Sequence, residues 1–383
     1  MTQVQIRDAG VNSVRPAIGE FFAMGLAAIL LRVLLLVAAA IVFHKSFHSF
    51  TQVSDGPSYI AYARAMLGDR NILTDYDRRV FIGYPLVIAA VHLLGVPWDL
   101  AAMGSTWIAA GIATVMAAIV TRSRRVGWAM VGLTPHFLLY SSVAMNESLL
   151  LACCVGGLEL ALKGIEPDSR SIKNGWICLL LGGLVLGFGG VVRPFACFAV
   201  AGFLVHAIRQ RRWGAAVIVA VTAAAVVGAG ALGLYLVTGD ALQGIKVYRD
   251  NPGAYHGELY AWPFKSLIIH SLHGNVPKAK LIYVWAYVLV NLAAVAMLTS
   301  RLLKTRNQKR ERIDLFWMWL TGNTTAILCI GSIWGFEAFH RFSSWALPAE
   351  LFALLPILPR RIWTWSVVTV ESFAIALYSI HRN

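Results

Sequence analysis

The chain has 383 residues, of which 58% are hydrophobic and only 14% charged, with a mean hydropathy of +0.66. Those values exclude an ordinary soluble domain and indicate an all-α, polytopic transmembrane protein. The formal charge of +14 does not indicate nucleic-acid binding, because the basic residues fall in short clusters between apolar runs, where they serve as orientation signals.

The apolar runs in chain order are 21–43, 100–120, 128–143, 148–162, 176–192, 195–208, 214–237, 281–300, 315–334, 344–358 and 362–380, each read as a membrane span. The first follows about twenty mostly polar residues and is long enough to span, so it is not read as a cleavable signal. One further run, 83–95, is apolar but falls short of the roughly 20 residues that a spanning helix needs. Basic residues decide its status. If 83–95 does not span and the N-terminus is cytoplasmic, the six cytoplasmic segments carry 19 Lys and Arg in about 60 residues. The external segments then carry 13 in well over 100. A spanning 83–95 would put the basic 301–313 loop outside. The expectation is therefore eleven spans in one transmembrane domain covering 1–383, with amphipathic helices in the first external loop and no separate soluble domain. The five cysteines, Cys153, Cys154, Cys178, Cys197 and Cys329, all lie in apolar runs and read as small packing residues.

This orientation brings several polar groups to the external face, where loops 44–99 and 238–280 would form the active-site surface. Asp55 stands a few residues past the first span, in Ser54-Asp55-Gly56-Pro57-Ser58-Tyr59. The segment also reads as a turn in which Asp bonds its own backbone. A helix starting near Pro57 would instead fix the direction of Asp55, and a positioned carboxylate can deprotonate a hydroxyl nucleophile. Asp75-Tyr76-Asp77-Arg78-Arg79 contains an Asp-x-Asp. It reads more simply as a solvated loop whose acids pair with its own arginines, and metal use, with magnesium or manganese as candidates, stays open.

Asn146 and Glu147 lie between two spans. They serve either as a helix start or as a second acidic site for acceptor, sugar or divalent ion. Arg193-Pro194 ends a span; its guanidinium either snorkels to the interface or binds phosphate oxygens in a bidentate way. Phe339-His340-Arg341-Phe342 is an external turn, read as an anchoring aromatic belt or as a phosphate ligand near the donor. Tyr248, Tyr255, His256, Tyr260, Trp262 and His270 in the 238–280 loop suit sugar stacking or interfacial packing. Glu159 and Arg32 are the obvious charges inside spans, and Glu159 has no evident role.

These motifs in this order resemble the GT-C superfamily of membrane glycosyltransferases. Asp55-x3-Tyr59-x3-Ala63 resembles its first external loop, and Gly83-Tyr84-Pro85-Leu86 its aromatic-Pro-Leu segment. Pro135 through Asn146-Glu147 resembles its second external acidic position. Arg193-Pro194 is similar to its recurrent Arg-Pro at a span end. His340-Arg341-Phe342 with Pro348 resembles the late motif of the mannosyltransferase-like branches. The resemblance implies an inverting transferase that takes a sugar from a polyprenyl-phosphate donor and passes it to a lipid, glycan or protein acceptor. It implies Asp55 as base, Glu147, Asn146 and Tyr59 toward the acceptor, and Arg193, His340 and Arg341 on the donor phosphate. Asp55 has no second acid one or two residues away, which departs from a metal-binding pattern. A bacterial plasma-membrane location fits. Two other classes remain open. A transporter or flippase would show repeats and midplane charges, and another lipid-processing enzyme would use a histidine such as His136.

Overall fold

The computed structural model describes residues 18–74, 77–166, 172–250, 258, 260–273, 276–304, 312–332, 334–360 and 362–382. Asp75, Tyr76, Tyr255 and His256 lie outside them.

Among the described residues, six helices are long and apolar enough to cross a membrane: Ile18–Phe43, Trp98–Val120, Glu147–Ile165, Gly175–Val192, Trp213–Thr238 and Lys278–Lys304. Each answers one of the expected spans. The 362–380 run is the unbroken helix Ile362–Arg382, and the remaining expected spans are helical but broken or short. The 128–143 run divides into Arg124–Gly132 and Pro135–Tyr140. The 195–208 run becomes Cys197–Arg209, and the 315–334 run ends early as Ile313–Leu328. The 344–358 run is reduced to a 3-10 turn and the helix Leu347–Ala353. Prolines account for two of these breaks, Pro135 and Pro348, because proline lacks the N–H that continues a helix and constrains the residue before it. The 83–95 run forms Gly83–Leu93, eleven residues. At about 1.5 Å per residue it covers roughly half the hydrocarbon thickness. It does not span alone.

The Glu147–Ile165 helix packs along its neighbour Ile172–Val192, which packs in turn on Trp213–Thr238; Trp98–Val120 covers another side of Glu147–Ile165. Small residues allow the closest of these approaches. A Cβ at Gly182 would stand 2.7 Å from the backbone nitrogen of Ala161. In lipid, where the apolar surroundings supply no hydrophobic drive between helices, such close backbone contact is the main attraction.

Both charges inside spans have structural partners. Arg32 is fully buried, and its guanidinium donates to Ser141 Oγ at 2.7 Å, Ala28 O at 2.8 Å, Val131 O at 3.2 Å and Met130 O at 3.5 Å. Val131 O is the acceptor that residue 135 would fill in a continuous helix, and Pro135 has no N–H to give. Arg32 therefore satisfies carbonyls that the proline break leaves open. Glu159 accepts from Arg312 at 3.1 Å, and Arg312 also reaches Glu166 at 2.8 Å and Val120 O at 2.7 Å. This network ties the far ends of three helices. It lies away from Glu147, whose 19-residue helix is about 28 Å long.

Arg32→Met is expected to cost about 2–4 kcal/mol, because it strands several buried acceptors. In a Pro135→Ala background the same change is expected to cost less, since residue 135 can then donate to Val131 O. Thermal unfolding of the four proteins in detergent checks this; equal costs in both backgrounds would contradict the assigned role of Arg32.

Candidate active site

The loop after the first helix folds back as Phe47–Thr51 and Gly56–Met66. Pro57 sits in the first turn of the second of these, and Asp55 holds the N-cap position without capping through its side chain. Its carboxylate is thereby left to make outside contacts. Ser54, just before it, adopts a left-handed backbone, φ 54°, which costs a non-glycine residue roughly 1 kcal/mol or more. That turn aims Asp55 inward, and Ser54 Oγ accepts from Arg341 Nη1 at 3.3 Å.

Asp55 Oδ1 accepts from Arg79 Nη2 at 2.6 Å, and Oδ2 accepts from Arg341 Nη2 at 3.0 Å. Arg341 Nε reaches Glu147 Oε1 at 2.6 Å, so one guanidinium bridges two carboxylates. Arg193 Nη2 lies 3.8 Å from both Asp55 Oδ2 and Glu147 Oε1. Arg193 also donates to Asn146 Oδ1 at 2.9 Å and to the Tyr59 hydroxyl at 3.3 Å. Asn146 Nδ2 donates to Val192 O at 3.3 Å, locking the start of one long helix to the end of the next. Gly83 sits at that helix end; a Cβ there would stand 2.6 Å from Val192 N, so only glycine lets the two segments meet. Aromatic rings floor the cluster. The Arg193 guanidinium lies over Trp345 at 4.6 Å, and that of Arg341 over Tyr140 at 5.1 Å.

Six of the seven residues singled out in the sequence therefore meet in one cluster: Asp55, Tyr59, Asn146, Glu147, Arg193 and Arg341. Asn146 stands at the N-cap of its helix with Glu147 in the first turn, but does not cap through its side chain, and Arg193 is turned inward with only 13% of its side chain exposed. His340 stands apart. Its ring lies tilted by 41° against that of His136, with centroids 3.8 Å apart, among Tyr283 and Tyr287. Arg79 joins the cluster unexpectedly: its sequence reads as part of a solvated loop, yet its side chain is 4% exposed and paired with Asp55. Asp77 accepts from Thr74 N at 3.0 Å and Thr74 Oγ1 at 2.7 Å. The apolar Val80-Phe81-Ile82 run directly after Arg79 was the available sign that this segment is buried. Among the described residues no group of three or more His, Cys, Asp and Glu is arranged to hold a metal.

The electrostatics follow from the charge count. Three guanidiniums face two carboxylates, an excess of one positive charge among these five side chains. Burial alone would raise the pKa of Asp55, but Arg341, Arg79 and Arg193 outweigh it and hold the carboxyl well below the usual range. Burial opposes the charge on Arg341, and Glu147 and Asp55 outweigh it, so Arg341 stays protonated. Burial raises the Tyr59 phenol, keeping it a neutral hydroxyl. Glu147 is fully buried, and its Oε2 has no hydrogen-bond partner. It is the open acceptor in the cluster.

No protein-family model and no curated protein matches the chain. Among solved structures, the fold is similar to that of ArnT from Cupriavidus metallidurans bound to undecaprenyl phosphate. The TM-score is 0.49 and the identity 15%, covering 88% of this chain and 62% of that one. It is similar also to ArnT from the same organism in the apo state, with TM-score 0.46, identity 13% and the same coverages. The chain thus spans less than two thirds of the length of either ArnT chain.

A carboxyl whose folded pKa is depressed stabilises the fold above its unfolded value, near 3.8 for Asp, and loses that stabilisation as pH falls through the folded value. Asp55→Asn is therefore expected to lower the melting temperature at pH 7, with the gap to wild type closing only below about pH 4. A gap that is constant down to pH 3 would contradict the ionised pairing.

Proposed function

We propose that this protein is a GT-C-type membrane glycosyltransferase that moves a sugar from a polyprenyl-phosphate donor to an acceptor hydroxyl at the external membrane face. The observation that carries the reading is the Arg79–Arg193–Arg341 cluster around Asp55 and Glu147. It has a positive excess and one open carboxylate oxygen, and it stands at one end of a helical bundle whose long helices suit lipid surroundings. The order of sequence motifs that resembles the GT-C superfamily supports it independently.

In this reading Arg193 and Arg341 bind the donor phosphate, which guanidiniums match in geometry and charge. The acceptor oxygen attacks the anomeric carbon from the face opposite the phosphate. The bond from that carbon to the phosphate oxygen breaks, and its electron pair leaves with the polyprenyl phosphate. The arginines oppose the charge that builds there. Configuration at the anomeric carbon inverts. The hydroxyl proton passes to Asp55, while Glu147, Asn146 and Tyr59 orient the acceptor.

Asp55 as it stands is a weak base, because both its oxygens are held by guanidiniums. Two of the three arginines that depress it, Arg341 and Arg193, are those that a phosphate would recruit. Donor binding would thus relax the hold on Asp55 and raise its basicity only when substrate is present. No metal is required by this scheme.

The transporter reading loses its main support, since Arg32 and Glu159 serve backbone and ion-pair roles inside the bundle. Arg341→Ala is expected to weaken binding of undecaprenyl phosphate by about tenfold or more, the loss of a charge-assisted contact. Asp55→Asn is expected to retain or tighten that binding, since it removes a competing anion, while losing sugar transfer by at least about a hundredfold. Transfer at the wild-type rate by folded Asp55→Asn protein would overturn the base assignment, and unchanged lipid affinity in Arg341→Ala would overturn the phosphate assignment.

A further inference from the structure

The donor and the product of the proposed transfer differ in charge at one phosphorus. The donor phosphate is a diester and carries one negative charge. When the bond to the anomeric carbon breaks, its electron pair stays on the phosphate oxygen and the polyprenyl phosphate leaves as a monoester. The second ionisation of such a monoester lies near about pH 6, so at neutral pH it carries close to two charges. The acceptor proton closes the balance. The phosphate gains one negative charge, and the carboxylate that takes the proton loses one.

The geometry sets that carboxylate against that phosphate. Arg341 spends Nε on Glu147 Oε1 at 2.6 Å, and turns both Nη groups to the Asp55 segment: Nη2 to Asp55 Oδ2 at 3.0 Å and Nη1 to Ser54 Oγ at 3.3 Å. Arg193 Nη2 lies 3.8 Å from the same Oδ2. A phosphate received by the two Nη groups of Arg341 therefore displaces Asp55 Oδ2 and leaves Glu147 on Nε. Asp55 cannot swing away. Its Oδ1 is held from the other side by Arg79 Nη2 at 2.6 Å, and Arg79 Nη1 is itself fixed on Ser58 Oγ at 3.3 Å. The other titratable groups that act on Asp55 are the Tyr59 and Tyr140 phenols, with Glu147 across the arginines. Two anions sharing the same buried guanidiniums repel each other. A proton on Oδ2 turns that repulsion into a hydrogen bond, because a protonated carboxyl donates to a phosphate oxygen.

We propose that Asp55 decides by its protonation which of the two phosphates the site holds: ionised, it admits the singly charged diester donor, and protonated on Oδ2 it retains the doubly charged monoester product, whose release waits on loss of that proton. The inference rests on the proposed glycosyltransferase function and deepens it. The proton taken from the acceptor is the one that holds the product, and its departure resets the base and empties the site together. The balance does not depend on charges farther out, since phosphate and carboxylate each change by one unit. In the empty site the arginines hold the Asp55 carboxyl well below its usual range. Bare lipid phosphate arriving at alkaline pH thus meets an ionised Asp55 and has to draw one proton from solvent as it binds.

The test uses the full-length protein in nanodiscs with two probes, undecaprenyl phosphate and its methyl ester, a diester that keeps a single charge. Proton uptake on binding is read by calorimetry at about pH 8 in buffers of different ionisation enthalpy, and affinity is followed from about pH 5.5 to 8.5. Wild type is expected to take up about one proton per bare lipid and none per methyl ester. Its affinity for the bare lipid is expected to fall by up to about tenfold per pH unit above about pH 6, while that for the ester stays flat. Asp55→Asn is expected to take up no proton, to bind the bare lipid at least about tenfold tighter than wild type at about pH 8, and to show no such fall. Glu147→Gln is expected to keep the uptake. Wild type that binds the bare lipid without taking up a proton, or that takes up as much with the ester, would overturn the proposal while leaving the phosphate reading standing; this comparison needs no variant. Uptake that survives in folded Asp55→Asn would overturn it as well. Wild type that binds neither lipid would overturn the proposal together with the reading on which it rests.

Discussion

The candidate site depends on one guanidinium. Arg341 donates to Asp55, Ser54 and Glu147, and so reaches two segments that lie about 286 and 194 residues away in sequence. Its side chain is only 10% exposed, so its charge has to be met inside the protein. Two carboxylates meet it, and those carboxylates then require Arg79 and Arg193 nearby. The geometry of the site follows from that chain of obligations. A buried charge left without its partners is strongly destabilising, which makes the arrangement specific even where it adds little net stability.

The same physics recurs through the bundle with different outcomes. Arg32 satisfies backbone acceptors opened by Pro135, and Arg312 satisfies Glu159 and Glu166. In both places the cation finds enough acceptors among its immediate neighbours, and nothing is left over for a ligand. The Asp55 cluster differs because its cations outnumber its anions and one oxygen of Glu147 stays open. That imbalance separates a site from a structural network here, more than burial or the mere presence of charge. In the proposed function it also gives substrate control over Asp55, since two of the groups that hold its carboxylate are those a donor phosphate would compete for.

Much of this was legible in the sequence. The length of the apolar runs located the long helices, and the short 83–95 run forms the eleven-residue helix Gly83–Leu93. Asp55, Glu147, Arg193 and Arg341 were recognisable because a charge at a span end needs a reason to be there. Other features were not legible. The break at residues 133–134 depends on Arg32 reaching across to supply donors, a tertiary contact that hydropathy does not register. Arg79 was hidden by its neighbours, since Asp77-Arg78-Arg79 reads as a self-paired loop until the fold buries it beside Asp55. His340 was grouped with Arg341 by adjacency, yet successive residues on a short helix point in different directions, and its ring turns toward His136.

The most direct test of the account is a structure of the protein determined with undecaprenyl phosphate bound. The account predicts the phosphate within hydrogen-bond reach of the Arg193 and Arg341 guanidiniums, with the Arg341–Asp55 contact lengthened and Asp55 still held by Arg79. A phosphate bound away from both arginines, or one bound with the Arg341–Asp55 pair intact, would contradict it.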